Sequence, residues 1–299
     1  AYGTNTAFVN GASAAGEYAY DVNGNLTKDL NKGITDIQYN VLNLPSTVSF
    51  SDGSTITYTY GADGTKLRTV HKIGSTTTTT DYCGNVIYEN GTQKLLLTEE
   101  GYINLAGTQQ YHYYLKDHQG NNRVVINRSG TMEETNHYYP FGGVFATAGN
   151  TQPYKYNGKE FDTKKGLNWY DYGARHYDTA LGRFTTNDRF AEKYYSMSPY
   201  QYGANSPVVN IDVNGDSIRI CTETQSFGHT WISVGEGSNM TVYSYGRYNG
   251  TNKGPDRSSN SLGNGSGVLL KLMGDEAKAY NDKKSSWWNV CICSNRCGR

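Results

Sequence analysis

Two aspartates in the second half of the chain have the residue type and local sequence for acid–base chemistry. Asp188 ends the segment GRFTTND, and Asp212 lies in NIDVNG. Two carboxylates that share one proton supply a base that activates water and an acid that protonates a leaving amine. The alternative is that both side chains cap turns, as aspartate in an Asp-x-x-Gly sequence often does. The residues by themselves leave both interpretations open.

A histidine further along offers a second kind of chemistry. His229 leads the alternating stretch FGHTWISVG, and the cysteines that follow it are Cys291, Cys293 and Cys297. An imidazole can hold a thiol as its thiolate, and a histidine ahead of the cysteine resembles the order in circularly permuted papain-like hydrolases. The cysteines lie in a tail with neither strand nor helix periodicity. We therefore expect His229 to be a turn or strand-edge histidine, with an incomplete Cys–His site as the alternative.

The remaining patterns predict neither a metal nor a cofactor. The three late cysteines have no nearby histidine and make a poor zinc site, and GNGSG lacks the Lys-Ser/Thr of a phosphate loop. The formal net charge is zero, which gives no electrostatic reason to expect nucleic acid as a partner of the repeat region. No stretch approaches the roughly 20 apolar residues of a membrane span, so none is predicted.

The elements that must position these residues are predicted to be short strands. The chain has 27 tyrosines and 35 glycines but only 6 prolines. Tyrosine favours strands, and glycine supplies the positive φ angles of tight turns. This composition is typical of a mainly β protein built from hairpins.

A repeat of about twenty residues organises the first part of the chain. Tyr20, Tyr39, Tyr60 and Tyr82 are 19, 21 and 22 residues apart, and a polar turn follows each of them. Between the turns the residues alternate: STITYTYG places Ile56 and the tyrosines after it on one face of a strand. Repeated hairpins of this kind bury their faces against neighbouring repeats. An ordinary β-meander with coincidental spacing is the alternative.

Several motifs together resemble the YD repeats and the repeat-associated core of RHS proteins. YDVNGNLT and GITDIQYNVLNLPSTV are similar to the repeats. The core motifs follow in order as YYLKDHQGNNRVV, NHYYPFGG, YKYNGKEFD, GLNWYDYGARHYDTALGRFTTND and SPYQYGANSPVVNIDVNGD. The resemblance covers roughly residues 15–216. It implies a curved antiparallel sheet of hairpin repeats that forms part of a β shell, with a core plug that closes one end.

The resemblance also implies roles for the aspartates. In RHS cores the positions that match Asp188 and Asp212 belong to a self-cleaving aspartyl site, which would here cut between Asp216 and Ser217. This sequence departs from the family pattern, because arginine and valine replace the proline that usually follows each aspartate. A third carboxylate, Asp216, takes the place of the usual apolar residue. We therefore expect no self-cleavage in this chain.

The order of motifs predicts three regions: repeats over 1–110, the repeat-associated core over 111–216, and a variable C-terminal segment over 217–299. The last region is expected to be a small α+β segment. It would hold a strand pair at Thr230–Val234 and Met240–Tyr245, a further strand in VLLKLMG and a short helix. In RHS proteins this position holds the payload, usually a toxin. We expect this payload to be incomplete and inactive.

We interpret the chain as a fragment of an RHS-type polymorphic toxin whose wall and core encapsulate and present a C-terminal effector. Its partners would be its own payload and a cognate immunity protein, and the family resemblance implies a secreted or cell-surface location. The first residues, AYGTNTAF, lack an initiator methionine and a signal-peptide pattern, so we expect a piece of a longer protein. The alternatives are a non-enzymatic RHS-repeat surface or adhesion protein, and a hydrolase or self-cleaving precursor.

Overall fold

The computed structural model describes residues 10–193, 195–216, 219–222, 230–234, 241–246, 268–275, 278 and 279. The chain divides into two compact units, and each is described by itself. Unit 1 comprises Ala1–Arg189, Ser198–Val209 and Val213–Asp216. Unit 2 comprises Phe190–Met197, Asn210–Asp212 and Ser217–Arg299.

Unit 1 contains a sheet of fourteen antiparallel strands, each paired with the next along the chain. We call this sheet the wall. Its strands are β1 (Tyr18–Tyr20), β2 (Leu26–Asp29), β3 (Ile34–Tyr39), β4 (Pro45–Phe50), β5 (Thr55–Tyr60), β6 (Lys66–Ile73), β7 (Thr76–Cys83), β8 (Val86–Glu89), β9 (Thr92–Leu97), β10 (Gly101–Asn104), β11 (Gln110–Lys116), β12 (Asn122–Asn127), β13 (Met132–Tyr138) and β14 (Val144–Ala148).

The turns of the wall show why Asp, Asn and Gly recur. In DVNGN, Asp21 Oδ1 accepts hydrogen bonds from the backbone N–H groups of Asn23 and Asn25, at 2.9 and 2.8 Å. Gly24 between them has φ 77°, a region that favours glycine. Asp117 accepts the same two bonds within DHQGN, from Gln119 and Asn121. The side chain therefore satisfies the backbone donors that each turn frees.

Alternation along the strands produces one buried face, as the sequence predicts. Ile56 and Tyr58 of β5 are buried, whereas Thr57 and Thr59 are exposed. Ile56 pairs with Val48 of β4, which in turn pairs with Ile37 of β3. This apolar row is the start of a core that also contains Leu26, Ile34 and Phe50. The mainly β fold with a long antiparallel sheet is thus confirmed.

The repeat and core motifs predict one continuous sheet from about residue 15 to 210, but the wall ends at Ala148 of β14. After β14 the chain turns at Gly149, where a Cβ atom would come within 2.1 Å of the Glu133 carbonyl oxygen. The Glu134 carboxylate then accepts the backbone N–H of Thr151 at 2.7 Å. The Thr151 N–H is therefore satisfied by a side chain and not by a neighbouring strand, and the chain leaves the sheet here.

A second antiparallel sheet of four short strands follows in unit 1, and we call it the plug. Its strands are β15 (Glu160–Asp162), β16 (Trp169–Asp171), β17 (His176–Asp178) and β18 (Arg183–Phe184). Short 3₁₀ helices in unit 1 are Leu30–Lys32, Tyr156–Gly158, Lys164–Gly166 and Gly203–Asn205, and Ala191–Lys193 is one in unit 2.

The wall contacts both faces of the plug. On one face Trp169 packs in the core formed by β2 to β5. On the opposite face Tyr170 and Tyr177 pack with Tyr138 of β13 and Val144 of β14. Neighbouring strands lie about 4.8 Å apart, so fourteen strands laid flat would span roughly 60 Å. Only a strongly curved sheet brings its early and late strands to the two sides of one plug.

The described part of unit 2 contains a separate antiparallel sheet in the order β19 (Arg219–Thr222), β20 (Thr230–Val234), β21 (Thr241–Gly246) and β22 (Val268–Met273). The predicted strand pair is present, with Ser233 opposite Val242. Residues 274, 275, 278 and 279 are helical. A small α+β segment therefore follows the wall and the plug, as expected.

Candidate functional site

The face of the plug that meets β2 to β7 is rich in carboxylates. Alternate residues of a strand point the same way, which places Glu160 and Asp162 of β15 beside Asp171 of β16 and Asp178 of β17. The register pairs Glu160 with Asp171 across β15 and β16. Three basic side chains contact these acids: Lys66 and His71 of β6, and Lys32 from the 3₁₀ helix between β2 and β3. We call this set of charged contacts the wall–plug interface.

Lys66 of β6 is the centre of this interface. Its Nζ lies 2.7 Å from Glu160 Oε2 and 2.5 Å from Asp171 Oδ2. Burial alone would lower the pKa of Lys66, but the charges of Asp171 and Glu160 raise it well above its usual value. Burial raises the pKa of Asp171, and the Lys66 charge outweighs this and holds it well below its usual range. Both groups are therefore charged at neutral pH.

Two further contacts flank Lys66. Lys32 Nζ lies 2.5 Å from Asp178 Oδ2, and the same oxygen accepts the Trp169 indole N–H at 3.2 Å. On the other side His71 Nε2 lies 2.7 Å from Asp162 Oδ2. A buried charge is tolerated only with a well-placed partner. The contacts of Lys32, Lys66 and His71 with these carboxylates therefore fix the register of the plug on the wall.

A cavity of about 260 Å³ lies between the wall and this face of the plug. Its lining includes Tyr58, Lys66 and His71 from the wall and Asp171 and His176 from the plug. The Tyr58 hydroxyl and the Nδ1 atoms of both histidines are buried without a hydrogen-bond partner. Burial lowers the pKa of His176, so this ring is neutral. The cavity suits water or a small polar molecule, because its lining includes these polar atoms without partners. Most of its carboxylates are already engaged by basic groups of the wall.

Asp188, the first predicted catalytic residue, is paired with an arginine in unit 1. Arg175 Nη2 donates to Asp188 Oδ2 at 3.1 Å. The guanidinium also donates to the Pro199 and Gly215 carbonyl oxygens and stacks on the Phe184 ring, 3.8 Å from its centroid. Arg175 ties the segment that ends at Asp216 to the plug.

The other acidic residues have different surroundings. Asp216 pairs with Arg189, and burial raises the pKa of its carboxyl, with a smaller contribution from Asp188. Asp212 is 8% exposed and is assigned to unit 2, whereas Asp188 belongs to unit 1. The expected absence of self-cleavage at Asp188 and Asp212 therefore stays a prediction.

The second set of predicted site residues lies outside the described residues. It comprises His229 with Cys291, Cys293 and Cys297. Over the described ranges, no group of three or more His, Cys, Asp or Glu side chains is arranged to hold a metal ion. The same ranges contain no helix that is long and apolar enough to cross a membrane.

The wall–plug interface was not predicted from the sequence. Lys32, Lys66 and Asp178 look like surface charges when read alone. One signal was present: each of the short strands EFD, WYD and HYD ends in a carboxylate, and EFD also begins with one on the same side. In a half-buried strand, charges on the same side as a tryptophan indicate that this side meets an oppositely charged surface.

The curved wall and the plug that it contacts on both faces have an RHS-like β-shell fold. Solved structures of Tc toxin proteins share it. A TcdB2-TccC3 structure matches with a TM-score of 0.57 and 20% identity, over 66% of this chain and 11% of that one. The Photorhabdus luminescens Tc holotoxin pore matches with a TM-score of 0.55 and 20% identity, over 66% and 10%. At this identity the likeness concerns the fold alone.

A curated relative shows closer similarity in sequence. Salivary gland surface protein 1 of Aedes aegypti is 33% identical over 224 residues, which cover 66% of this chain. The chain spans only 6% of that protein and about a tenth of the toxin chains. No family model matches the chain.

Proposed function

We propose that this chain is a fragment of an RHS-type polymorphic toxin whose wall and plug encapsulate and present a C-terminal effector. The observation that carries the proposal is the contact of one sheet with both faces of the plug. A sheet curved this tightly suits a container, and the plug suits its closed end. The motif order supports it too, because the strands of unit 2 follow the core motifs at the payload position. The resemblance to RHS proteins adds a secreted or cell-surface location and a cognate immunity protein as partner.

Protection from protease tests the proposal in the parent protein that carries this stretch. An enclosed payload predicts that residues beyond Asp216 resist proteinase K while the wall is intact. Lys66→Glu would place a third carboxylate beside Glu160 and Asp171, release the plug and expose the payload. Arg68→Glu is the matched control, since Arg68 is on the same strand but its side chain is 53% exposed. Digestion of the wild-type segment at the rate of the free segment would overturn the proposal.

A non-enzymatic surface or adhesion protein is the second candidate. It is supported by the relative from Aedes aegypti, whose name describes a surface protein. This candidate makes the opposite prediction for the parent protein. Its region after Asp216 would be open to protease in the wild type, and deleting that region would leave cell-surface binding unchanged.

Self-cleavage after Asp216 is a separate proposal, and we infer that this chain does not perform it. The missing prolines and the extra carboxylate Asp216 support this, and the Asp188 carboxylate is already engaged by Arg175. Purified protein is therefore expected to have the mass of one uncut chain. Two fragments divided between Asp216 and Ser217 in the wild type, but not in Asp212→Asn, would show that the aspartyl site works.

We also propose that the segment 217–299 is inactive as a Cys–His hydrolase. The support comes from the sequence, since the three late cysteines lie in an aperiodic tail. Peptidase-like activity that is lost when Cys291 or His229 is replaced by alanine would show that the site is complete.

A further inference from the structure

A buried lysine, glutamate and asparagine meet where the wall passes into the plug region. Glu134 and Asn136 lie two residues apart on β13 and so face the same side of the sheet. Lys155 reaches them from the segment after β14. The three residues are 1%, 1% and 5% exposed.

One carboxylate oxygen joins the two nitrogen-bearing side chains. Glu134 Oε1 accepts from Asn136 Nδ2 at 2.7 Å and also from Lys155 Nζ. Two donors on one carboxylate oxygen lie about 4–5 Å apart. The lysine amine and the asparagine carboxamide therefore lie close to each other, on the same carboxylate oxygen.

The carboxamide is held in a fixed orientation. Asn136 Nδ2 donates a second hydrogen bond to the Asn122 carbonyl oxygen at 3.2 Å. Thr147 Oγ1 lies 3.1 Å from Asn136 Oδ1 and 3.1 Å from the Gly149 carbonyl oxygen, so its hydroxyl can donate to either. A donor on Oδ1 would stabilise the negative charge that forms when a nucleophile attacks this carbonyl.

The surroundings favour an uncharged, nucleophilic amine. Burial lowers the pKa of Lys155, and the Glu134 charge reverses this only in part. Burial raises the pKa of Glu134, but Lys155 and the donors around it outweigh that and keep it a carboxylate, the form that takes up a proton. Those donors include Gln152 Nε2 and both the N–H and the hydroxyl of Thr151. No other charged side chain contacts the Lys155 amine among the described residues.

We propose that Lys155 and Asn136 form an intramolecular isopeptide bond, with Glu134 as the catalytic residue. Glu134 takes a proton from the Lys155 ammonium, and the free amine attacks Asn136 Cγ. The Nζ–Cγ bond forms, the Cγ–Nδ2 bond breaks, and Glu134 returns its proton to the leaving nitrogen. The nitrogen departs as ammonia, which takes up the second proton released from Nζ. The reaction is balanced without an oxidant or other co-reactant.

The bond would join β13 covalently to the segment that leads into the plug. Residues 137–154 would become a closed loop that holds the end of the wall on the plug. A cross-link of this kind restricts the unfolded chain as a disulfide does and is not cut by reducing agents. It would suit a container wall that must stay closed.

Mass spectrometry of the purified full chain tests the proposal. The linked protein is expected to be lighter than its sequence mass by about 17 Da, the mass of ammonia. After denaturation and digestion, trypsin cuts after Arg128 and, in an unlinked chain, after Lys155. A linked Lys155 resists trypsin, so the product would be the single peptide 129–159, lighter by the same amount and without backbone fragments between Asn136 and Lys155.

Three variants make the result specific. Lys155→Arg and Glu134→Gln are expected to have the full sequence mass, whereas Glu133→Gln, a change at the neighbouring position, is expected to keep the loss. A wild-type protein of full sequence mass that trypsin cuts after Lys155 would overturn the proposal. A mass loss that persists in Lys155→Arg would also overturn it, since this loss would come from cyclisation of Asn136 with its own backbone.

Discussion

At the scale of single residues, buried charges decide how the plug binds the wall. Asp178 is fully buried and its carboxylate accepts from Lys32, Trp169 and the backbone of Ala180. Two of these contacts, from Lys32 and Trp169, come from other elements. Their contribution is mainly specificity, because an isolated buried charge is so costly that only one placement of the plug is allowed.

Replacing Asp178 by asparagine tests this account. Asp178→Asn leaves the Lys32 ammonium buried without its carboxylate, and we expect a loss of about 3–5 kcal/mol in the free energy of unfolding. Lys94→Ala is the control, because Lys94 and Glu89 form an ion pair that is 44% and 35% exposed. Such a surface pair contributes less than about 1 kcal/mol. Urea denaturation of both variants provides the measurement, and equal effects would contradict this role for Asp178.

At the scale of elements, the tyrosines on the two faces of the wall have different roles. The tyrosine repeat on alternating strand faces predicts rows of rings whose hydroxyls reach solvent or backbone. Tyr58 instead packs in the core, against the Tyr60 and His176 rings, and its hydroxyl is buried without a partner. Tyr111 of β11, by contrast, is 42% exposed. The strand period predicts alternation, but only packing decides which tyrosines are covered.

A pair of alanine substitutions separates the two classes. Tyr58→Ala removes a buried ring, and we expect it to lower the free energy of unfolding by about 3–5 kcal/mol. Tyr111→Ala removes an exposed cross-strand contact and should cost less than about 1 kcal/mol. Tyr58→Phe should be nearly neutral, because it removes a hydroxyl that has no partner. Chemical denaturation measures all three variants. A small effect of Tyr58→Ala would show that the buried ring contributes no more to stability than an exposed tyrosine does.

At the scale of the whole molecule, unit 1 is a tyrosine-rich sheet closed around a plug by charge pairs. Both features make its stability depend on pH. Burial raises the pKa of Tyr58, Tyr170, Tyr172 and Tyr177 well above the usual value. Unfolding therefore releases protons at alkaline pH and binds them at acid pH, where the carboxylates with a lowered pKa include Asp171 and Glu134.

Acid titration tests the carboxylate part of this balance. The pKa of Asp171 is lower in the folded state than the value of about 3.9 in an unfolded chain. Its stabilising effect is therefore complete above about pH 4 and declines as the pH falls towards the folded pKa. Asp171→Asn should flatten this decline in the free energy of unfolding between about pH 4 and pH 2. Asp216, whose pKa burial raises, acts in the opposite direction and at higher pH, because the folded state binds its proton before the unfolded state does. Asp216→Asn should therefore remove a gain in the free energy of unfolding that occurs as the pH falls towards about 4.

The sequence by itself determined the local structure. The tyrosine period, the alternation in STITYTYG and the Asp-x-x-Gly-Asn turns predicted antiparallel hairpins, because strand pleat and turn geometry depend on residues close together in the chain. The turn sequence KDHQGNNR likewise predicts that Asp117 and Arg123 pair across a hairpin, and Asp117 Oδ2 lies 3.8 Å from Arg123 Nη1.

Only the tertiary structure decided where the wall ends and which residues form the site. Lys66 and Asp171 are far apart in sequence, and their pairing depends on the curvature summed over many strands. The contact between Lys155 and Glu134 also forms only when the chain leaves β14 and folds back over β13. Such contacts leave no periodic pattern in the sequence, since each depends on how whole sheets pack and not on residues that are close together in the chain.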